Sequence, residues 1–280
     1  MTNRIEVLKT YKLYINGQFP RSESGRVYKI KVGKDFIANP AQASRKDLRD
    51  AVTAARGAQS GWAGATAYNR GQILYRIAEM LEGRTSQFVE EISLLEKTTT
   101  AQAKAQVAQS IDRWVWYAGW ADKIATTFGV TNPVAGPYYN FTVPEPMGVV
   151  GILAPEKPSL LGLVDCLAPV LVSGNTAILV ASHSAPLTAI TFAEVLATSD
   201  LPAGVCNILT GIKDELAPWM ASHMDINAMD ISGAAKKNHT ALREAGADNL
   251  KRIFAFGEKV KTERMISFLE AKTIWHTVGI

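Results

Sequence analysis

Only a few side chains in this sequence have the chemistry for catalysis or metal binding, since its 280 residues include two cysteines and four histidines. Cys166 and Cys206 lie in apolar stretches at a spacing that fits neither a disulfide framework nor a metal cluster, and both read as buried fillers. His183, His223, His239 and His276 are scattered, with no pair four residues apart and no Cys/His cluster, so no metal site is expected. Ser182 and His183 are adjacent, but no Ser-His-Asp spacing or carboxylate pair goes with them, and they read as loop after a strand. Lys157, Lys236 and Lys237 fall near predicted strand ends, where they would favour an anion if the crevice there bound a small molecule.

The elements that must carry these residues change texture along the chain. Residues 14–25 hold Asn16-Gly17 and a Ser-Gly pair, both hairpin signals, and a short strand is expected over 27–30. Ser44 with Asp47 three places on reads as a helix start, followed by Leu48, Val52 and Ala55 on one face. Ile73, Leu74, Ile77, Met80 and Leu81 mark a second helix, and Phe88, Ile92 and Leu95 a third. A fourth is expected over 101–124, its extra aromatics Trp116, Tyr117 and Trp120 packing against another layer or chain. Residues 126–145 read as two extended segments around a Pro/Gly turn, an arm expected to pair with another chain.

From Met147 onward strands and helices alternate. Strands are predicted at 148–153, 176–180, 205–209, 228–231 and 252–256, with helices near 159–172, 187–199, 213–222 and 234–245. The fold class is therefore α/β, a doubly wound parallel sheet preceded by helices. Such sheets often bind nucleotides, yet G-x-G-x-x-G is absent and the turn after Leu153 reads Ala-Pro-Glu-Lys-Pro. Architecture alone licenses no cofactor.

A set of blocks nevertheless resembles the aldehyde dehydrogenase superfamily: YINGQF at 14–19, Asn39-Pro40-Ala41, YAGWADK at 117–123, EPMGVVGILAP at 145–155, LAPVLVSGNTAIL at 167–179, PLTA at 186–189, LPAGVCNILTG at 201–211 and DNLKRI at 248–253. They occur in the family's order over residues 12–256. The resemblance implies a Rossmann-like NAD-binding-type domain over 1–258, with an oligomerisation hairpin at 126–145. A C-terminal segment, 259–280, would supply a short helix at 259–269 and the terminal oligomerisation strand at 271–279.

The family's chemistry needs a cysteine thiolate, an oxyanion hole, NAD as hydride acceptor and a carboxylate base. Here the family's proline-tryptophan-asparagine turn is matched by Pro155, Glu156 and Lys157. Lys157 retains a donor for an oxyanion, while Glu156 is expected to bring negative charge towards the cofactor phosphates. The family's Lys-Pro-Ser/Ala-Glu segment, which holds the adenosine ribose, is matched by Val180, Ala181, Ser182 and His183. Phe-Thr-Gly-Ser corresponds to Ile231, Ser232, Gly233 and Ala234, the next family glycine to Asn238, the general-base glutamate to Phe256, and the Gly-Gly pair after it to Glu258 and Lys259. Pro155, Glu156, Lys157, Val180, His183, Gly211 and Gly233 are thus a vestigial cofactor set. Each lost charge-assisted bond to a ribose costs about 1.5–3 kcal/mol, so no cofactor is expected beyond weak NAD(P) binding.

Only 24 residues follow Phe256 and none is cysteine, so the family's catalytic domain has no counterpart in these residues. The arrangement is most similar to the truncated, non-catalytic second domain of family-16 aldehyde dehydrogenases, here starting at its own Met1 as a free-standing counterpart or a separately expressed piece. The expected function is a non-catalytic subunit that assembles with a catalytic aldehyde dehydrogenase, or with itself, through 126–145 and 271–279. The alternatives are an NAD(P)-dependent oxidoreductase component with residual cofactor binding in a hetero-oligomer, or a small-molecule regulatory module. The net charge of +4 divides into basic ends and an acidic middle. With no stacking aromatics or recognition motif among the basic residues, a protein partner is favoured over nucleic acid. No apolar run is long enough for a membrane helix and the first ten residues lack a signal-peptide core, so a cytoplasmic protein is expected.

Overall fold

The computed structural model describes residues 7–257 and 262–279. At its centre is a parallel sheet of β5 (Val149–Leu153), β6 (Thr176–Val180), β7 (Cys206–Leu209), β8 (Ala228–Asp230) and β9 (Arg252–Phe254), in the order β7-β6-β5-β8-β9. All residues of β5 to β8 are buried, which explains their continuous apolar runs: both faces are covered. The strand order reverses between β5 and β8, so the crevice at their carboxyl ends is where ligands of such sheets bind.

One face is packed by α1 (Arg45–Gly64), α8 (Lys213–Ser222) and α9 (His239–Ala245), through Leu48, Val52, Leu216, Met220 and Leu242. The other carries α6 (Ser159–Val172) and α7 (Leu187–Ala197), with α2 (Ala67–Glu82), α3 (Thr85–Glu96) and α4 (Thr100–Ala118) beyond them. α6 is apolar nearly all round because it lies between the sheet and α4. The predicted start of α1 is realised as a capping box: Ser44 Oγ accepts from the Asp47 amide and Asp47 returns a bond to the Ser44 amide.

Some boundaries differ. Asn16 and Gly17 both adopt positive φ, 51° and 72°, and form the two-residue turn their sequence predicts. The strand leading into that turn bonds through Tyr14 to Ile208 on the edge of the parallel sheet. The strand predicted at 27–30 is displaced into a small hairpin, β1 (Ile30–Val32) and β2 (Asp35–Ala38), turning at Gly33. The fourth helix stops at Ala118, where Gly119 caps it, and residues 124–128, expected partly as helix and partly as arm, form a separate turn of helix, α5.

The arm itself consists of β3 (Val130–Asn132) and β4 (Tyr138–Pro146), and its long strand is paired within the chain. β10 (Leu269–Thr277) runs antiparallel along all nine residues of β4, giving a sheet of order β10-β4-β3. The helix predicted at 259–269 is described only as α10 (Thr262–Ile266), residues 258–261 lying outside the described residues, and the following strand already begins at Leu269.

Candidate site at the carboxyl edge of the parallel sheet

α6 opens on Pro158, which has no side chain to cap it, so its first amides need acceptors from elsewhere. α3 and α4 supply them. Glu96 Oε1 accepts from the Ser159 amide at 2.7 Å and from its hydroxyl at 2.6 Å, while Gln106 Oε1 accepts from the Leu160 amide at 3.0 Å. The Gln106 side-chain amide in turn donates to the Glu96 carboxylate. A carboxylate thus occupies the positive end of the helix, the place a ligand anion would take. Lys157, expected to offer a donor to an oxyanion, is committed elsewhere: its Nζ donates to the Glu96 carbonyl at 2.9 Å, at the end of α3.

A second carboxylate fills the neighbouring loop. Glu156 turns towards the β6–α7 loop, away from the start of α6, where its carboxylate accepts from the backbone amides of His183 (3.2 Å) and Ser184 (3.0 Å) and the hydroxyls of Ser182 (3.0 Å) and Ser184 (2.8 Å). The Lys213 ammonium completes the set from the first residue of α8, with its side chain only 9% exposed. Burial alone would raise the Glu156 carboxyl, but the bonds from Lys213 and the Ser184 amide prevail and hold it at about 2. The His183 ring stacks on Tyr28 at 4.4 Å and shares a hydrogen bond with the Gly211 carbonyl at 3.1 Å. Gly211 (φ 145°) itself backs onto Ala43, whose amide would lie 3.1 Å from an added Cβ. Val180 is wholly buried in β6.

At the end of β8 the backbone is locked to β5. The Gly233 amide donates to the Leu153 carbonyl at 2.8 Å, and a Cβ on Gly233 would stand 2.1 Å from the Ala154 carbonyl oxygen. Asp230, fully buried, accepts from the Ser232 amide and hydroxyl, and lies 3.8 Å from the Arg264 guanidinium of α10. Arg264 also donates to the Asp165 carbonyl and to Cys166 Sγ, and rests on the Phe256 ring. Burial pushes the Cys166 thiol well up, and the Cys206 thiol likewise, so neither supplies a thiolate near neutral pH. Phe256 packs against Phe254 and Phe268. Among the described residues no group of three or more His, Cys, Asp or Glu side chains is placed to hold a metal.

With that geometry in place, the comparisons are decisive: the model of the aldehyde dehydrogenase family matches residues 22–256. The chain belongs to the aldehyde dehydrogenase family. It is 33% identical to retinal dehydrogenase 2 of Gallus gallus over 252 residues, covering 88% of this chain and 48% of that protein. It is 30% identical to omega-crystallin of Enteroctopus dofleini over 259 residues, covering 89% of this chain and 51% of that one. The aldehyde dehydrogenase of Bacillus cereus, solved as its NAD+ complex, superposes with a TM-score of 0.82 at 25% identity, over 88% of this chain and 50% of its own. The chain spans about half the length of the curated relatives it matches.

Within this aldehyde dehydrogenase fold, the turn residues Pro155, Glu156 and Lys157 and the loop residue His183 do come to one edge, and Gly233 lies beside them at the end of β8. Val180 and Gly211 face inward. Lys236 and Lys237 sit on an exposed turn, and the lysine that pairs with Glu156 at the edge is Lys213. Lys213 was detectable in principle. A lysine in the first turn of a helix opposes the helix dipole and calls for a carboxylate partner. Glu96 gave no such signal, because its role depends on how α3 packs beside α6.

Proposed function

We propose that this aldehyde-dehydrogenase-family chain is a non-catalytic subunit that assembles with, and stabilises or regulates, a catalytic aldehyde dehydrogenase. The observation that carries this reading is the β10-β4-β3 sheet. β10 gives one edge to β4 of its own chain and has no strand on its other edge among the described residues, with Trp275 60% exposed and Tyr138 and Tyr139 exposed on the adjacent strand. Long open edges flanked by aromatics favour strand addition by another chain.

The carboxyl edge of the parallel sheet supports the non-catalytic half of the reading. Phe256 has no proton to exchange, both thiols are buried and protonated, and the donors a dinucleotide would need are held by Glu96 and Glu156. Tight NAD(P) binding is therefore not part of the proposed role. The test is co-expression with a full-length aldehyde dehydrogenase from the same genome, followed by light-scattering mass measurement. A stable complex of both chains is the expected result, and a chain that remains a monodisperse monomer beside that enzyme overturns the reading.

A further inference from the structure

A cleft of about 670 Å3 lies between the start of α1 and the end of α8, and shares no residue with the carboxyl-edge site or the β10-β4-β3 sheet. Leu48 forms its buried floor, Trp219 and Met224 line its α8 side, and Arg45, Lys46 and Arg49 line its α1 side. Trp219 is 42% exposed and Met224 66%. Among the described residues no carboxylate lines it. The arginines of α1 differ in what the fold already asks of them. Arg56 donates to the Asp225 carbonyl and to Asn227 Oδ1, both at 2.7 Å, and so ties α1 to the segment after α8. Arg45 and Arg49, one turn apart on the same face, have no such task. The Arg45 guanidinium lies 3.7 Å over the Trp219 ring and has no ion-pair or hydrogen-bond partner among the described residues. Arg49 meets Asp50, and Lys46 meets Glu23, only as exposed pairs, which a better-placed acceptor can replace at little cost. An arginine already stacked on an indole has given up part of its rotamer freedom, so it takes a carboxylate at a lower entropic cost.

We infer that this cleft docks a short acidic segment of a partner protein, whose carboxylates pair with Arg45 and Arg49 while a neighbouring apolar side chain packs against Trp219 and Met224. Charge complementarity selects the occupant. The two arginines stand about 6 Å apart along the helix axis, a spacing that two carboxylates on one face of a peptide can match. The apolar wall beside them asks for an aliphatic or aromatic side chain in the same segment. Trp, Met and Arg are the residue types enriched in protein interfaces, and Trp and Arg among those that carry most of the binding energy. Nucleic acid is poorly matched. The cleft offers one exposed ring, already covered by Arg45, so bases have no row of aromatics to stack on, and Glu23 and Asp50 beside its cations would repel a continuous phosphate backbone. The inference is independent of assembly through β10, since the two surfaces have no residue in common and either can fail without the other.

The test is a selection of random peptides displayed on phage against the full chain, with depletion on the double variant Arg45→Glu, Arg49→Glu. All three cleft side chains to be changed are exposed, so the double variant and Trp219→Ala should keep the Tm of the unmodified chain, which establishes that they are folded. Peptides that survive depletion are expected to carry at least two Asp or Glu residues beside an aliphatic or aromatic one. Labelled with fluorescein, the best of them should bind the double variant at least about tenfold more weakly in anisotropy titrations, and Trp219→Ala should weaken it to a similar degree although the charges are intact. The same peptide should shift the Trp219 indole resonance of the unmodified chain. The inference is overturned if no peptide survives depletion, if the survivors lack carboxylates, or if the selected peptide binds folded Trp219→Ala as tightly as the unmodified chain. Displacement of the peptide by an equal concentration of oligothymidylate, or by vesicles containing phosphatidylserine, would also overturn it, by assigning the cleft to nucleic acid or to a membrane surface.

Discussion

The two sheets of this molecule treat their unsatisfied groups in opposite ways. At the carboxyl edge of the parallel sheet, the α6 amides and the β6–α7 loop are provided with acceptors by the chain's own Glu96, Gln106 and Glu156. In the β10-β4-β3 sheet the outer edge of β10 has no strand opposite it among the described residues, only the Arg252 side chain reaching the Leu269 carbonyl at its start, and Trp275 is exposed. Leaving polar groups unpaired costs free energy wherever they are buried, so a region that is fully paired has no remaining demand for a ligand. The proposed assembly therefore belongs on the open sheet, although the resemblance alone would direct attention to the closed one.

The sharpest way to break this comparison is to unseal the closed side. Arg264, on the short helix α10, is 7% exposed and is the cation facing Asp230, which is wholly buried. Removing one partner of a buried pair strands the other charge, a loss of about 3–5 kcal/mol, whereas replacing both with apolar residues is often near neutral. Arg264→Ala should lower unfolding free energy by that amount in urea titrations, and Arg264→Met with Asp230→Leu should recover most of it. A small loss in the single variant would mean that α10 does not seal the end of β8.

The open side is probed by Trp275. At 60% exposure its side chain contributes little to the fold, so Trp275→Lys should change stability by no more than about 0.5 kcal/mol. An aromatic anchor at an interface is worth about 2 kcal/mol, so the same change should weaken association with a catalytic partner roughly thirtyfold in surface-plasmon measurements. Unchanged affinity would remove this face from the interface.

Much of the parallel unit was legible because its signals are local. β6 and α6 appear at the predicted residues, since a buried strand and an all-apolar helix each write their burial into consecutive positions. The start of α1 was legible for the same reason, as Ser44 and Asp47 are three residues apart. The pairing of β10 with β4 was not, because it joins residues about 130 positions apart whose side chains are mostly exposed and carry little alternation. Nor were the partners of the edge residues. Lys157 to Glu96 and Glu156 to Lys213 are long-range contacts, and a sequence shows that a charge is present without showing which loop it turns to.

The smallest expected effect concerns the charge of Glu156. Its folded-state pKa, about 2, lies below the ordinary carboxyl value of 4.5, so the folded state binds a proton there less readily than the unfolded chain. The stabilisation is therefore complete above pH 4.5 and is lost as pH falls towards 2. With 45% of the side chain exposed, solvent screens the interaction, and no more than about 1 kcal/mol is expected. The difference in unfolding free energy between the unmodified chain and Glu156→Gln should accordingly shrink by about that amount as the pH falls from 6 towards 2. A carbon-13 titration of the Glu156 carboxyl gives the same quantity directly. A midpoint at the ordinary carboxyl value would mean that the carboxylate spends its time in water and not on the amides of His183 and Ser184. The parallel-sheet edge would then be open, like the outer edge of β10, and the contrast between the two sheets would fail at its most exposed contact.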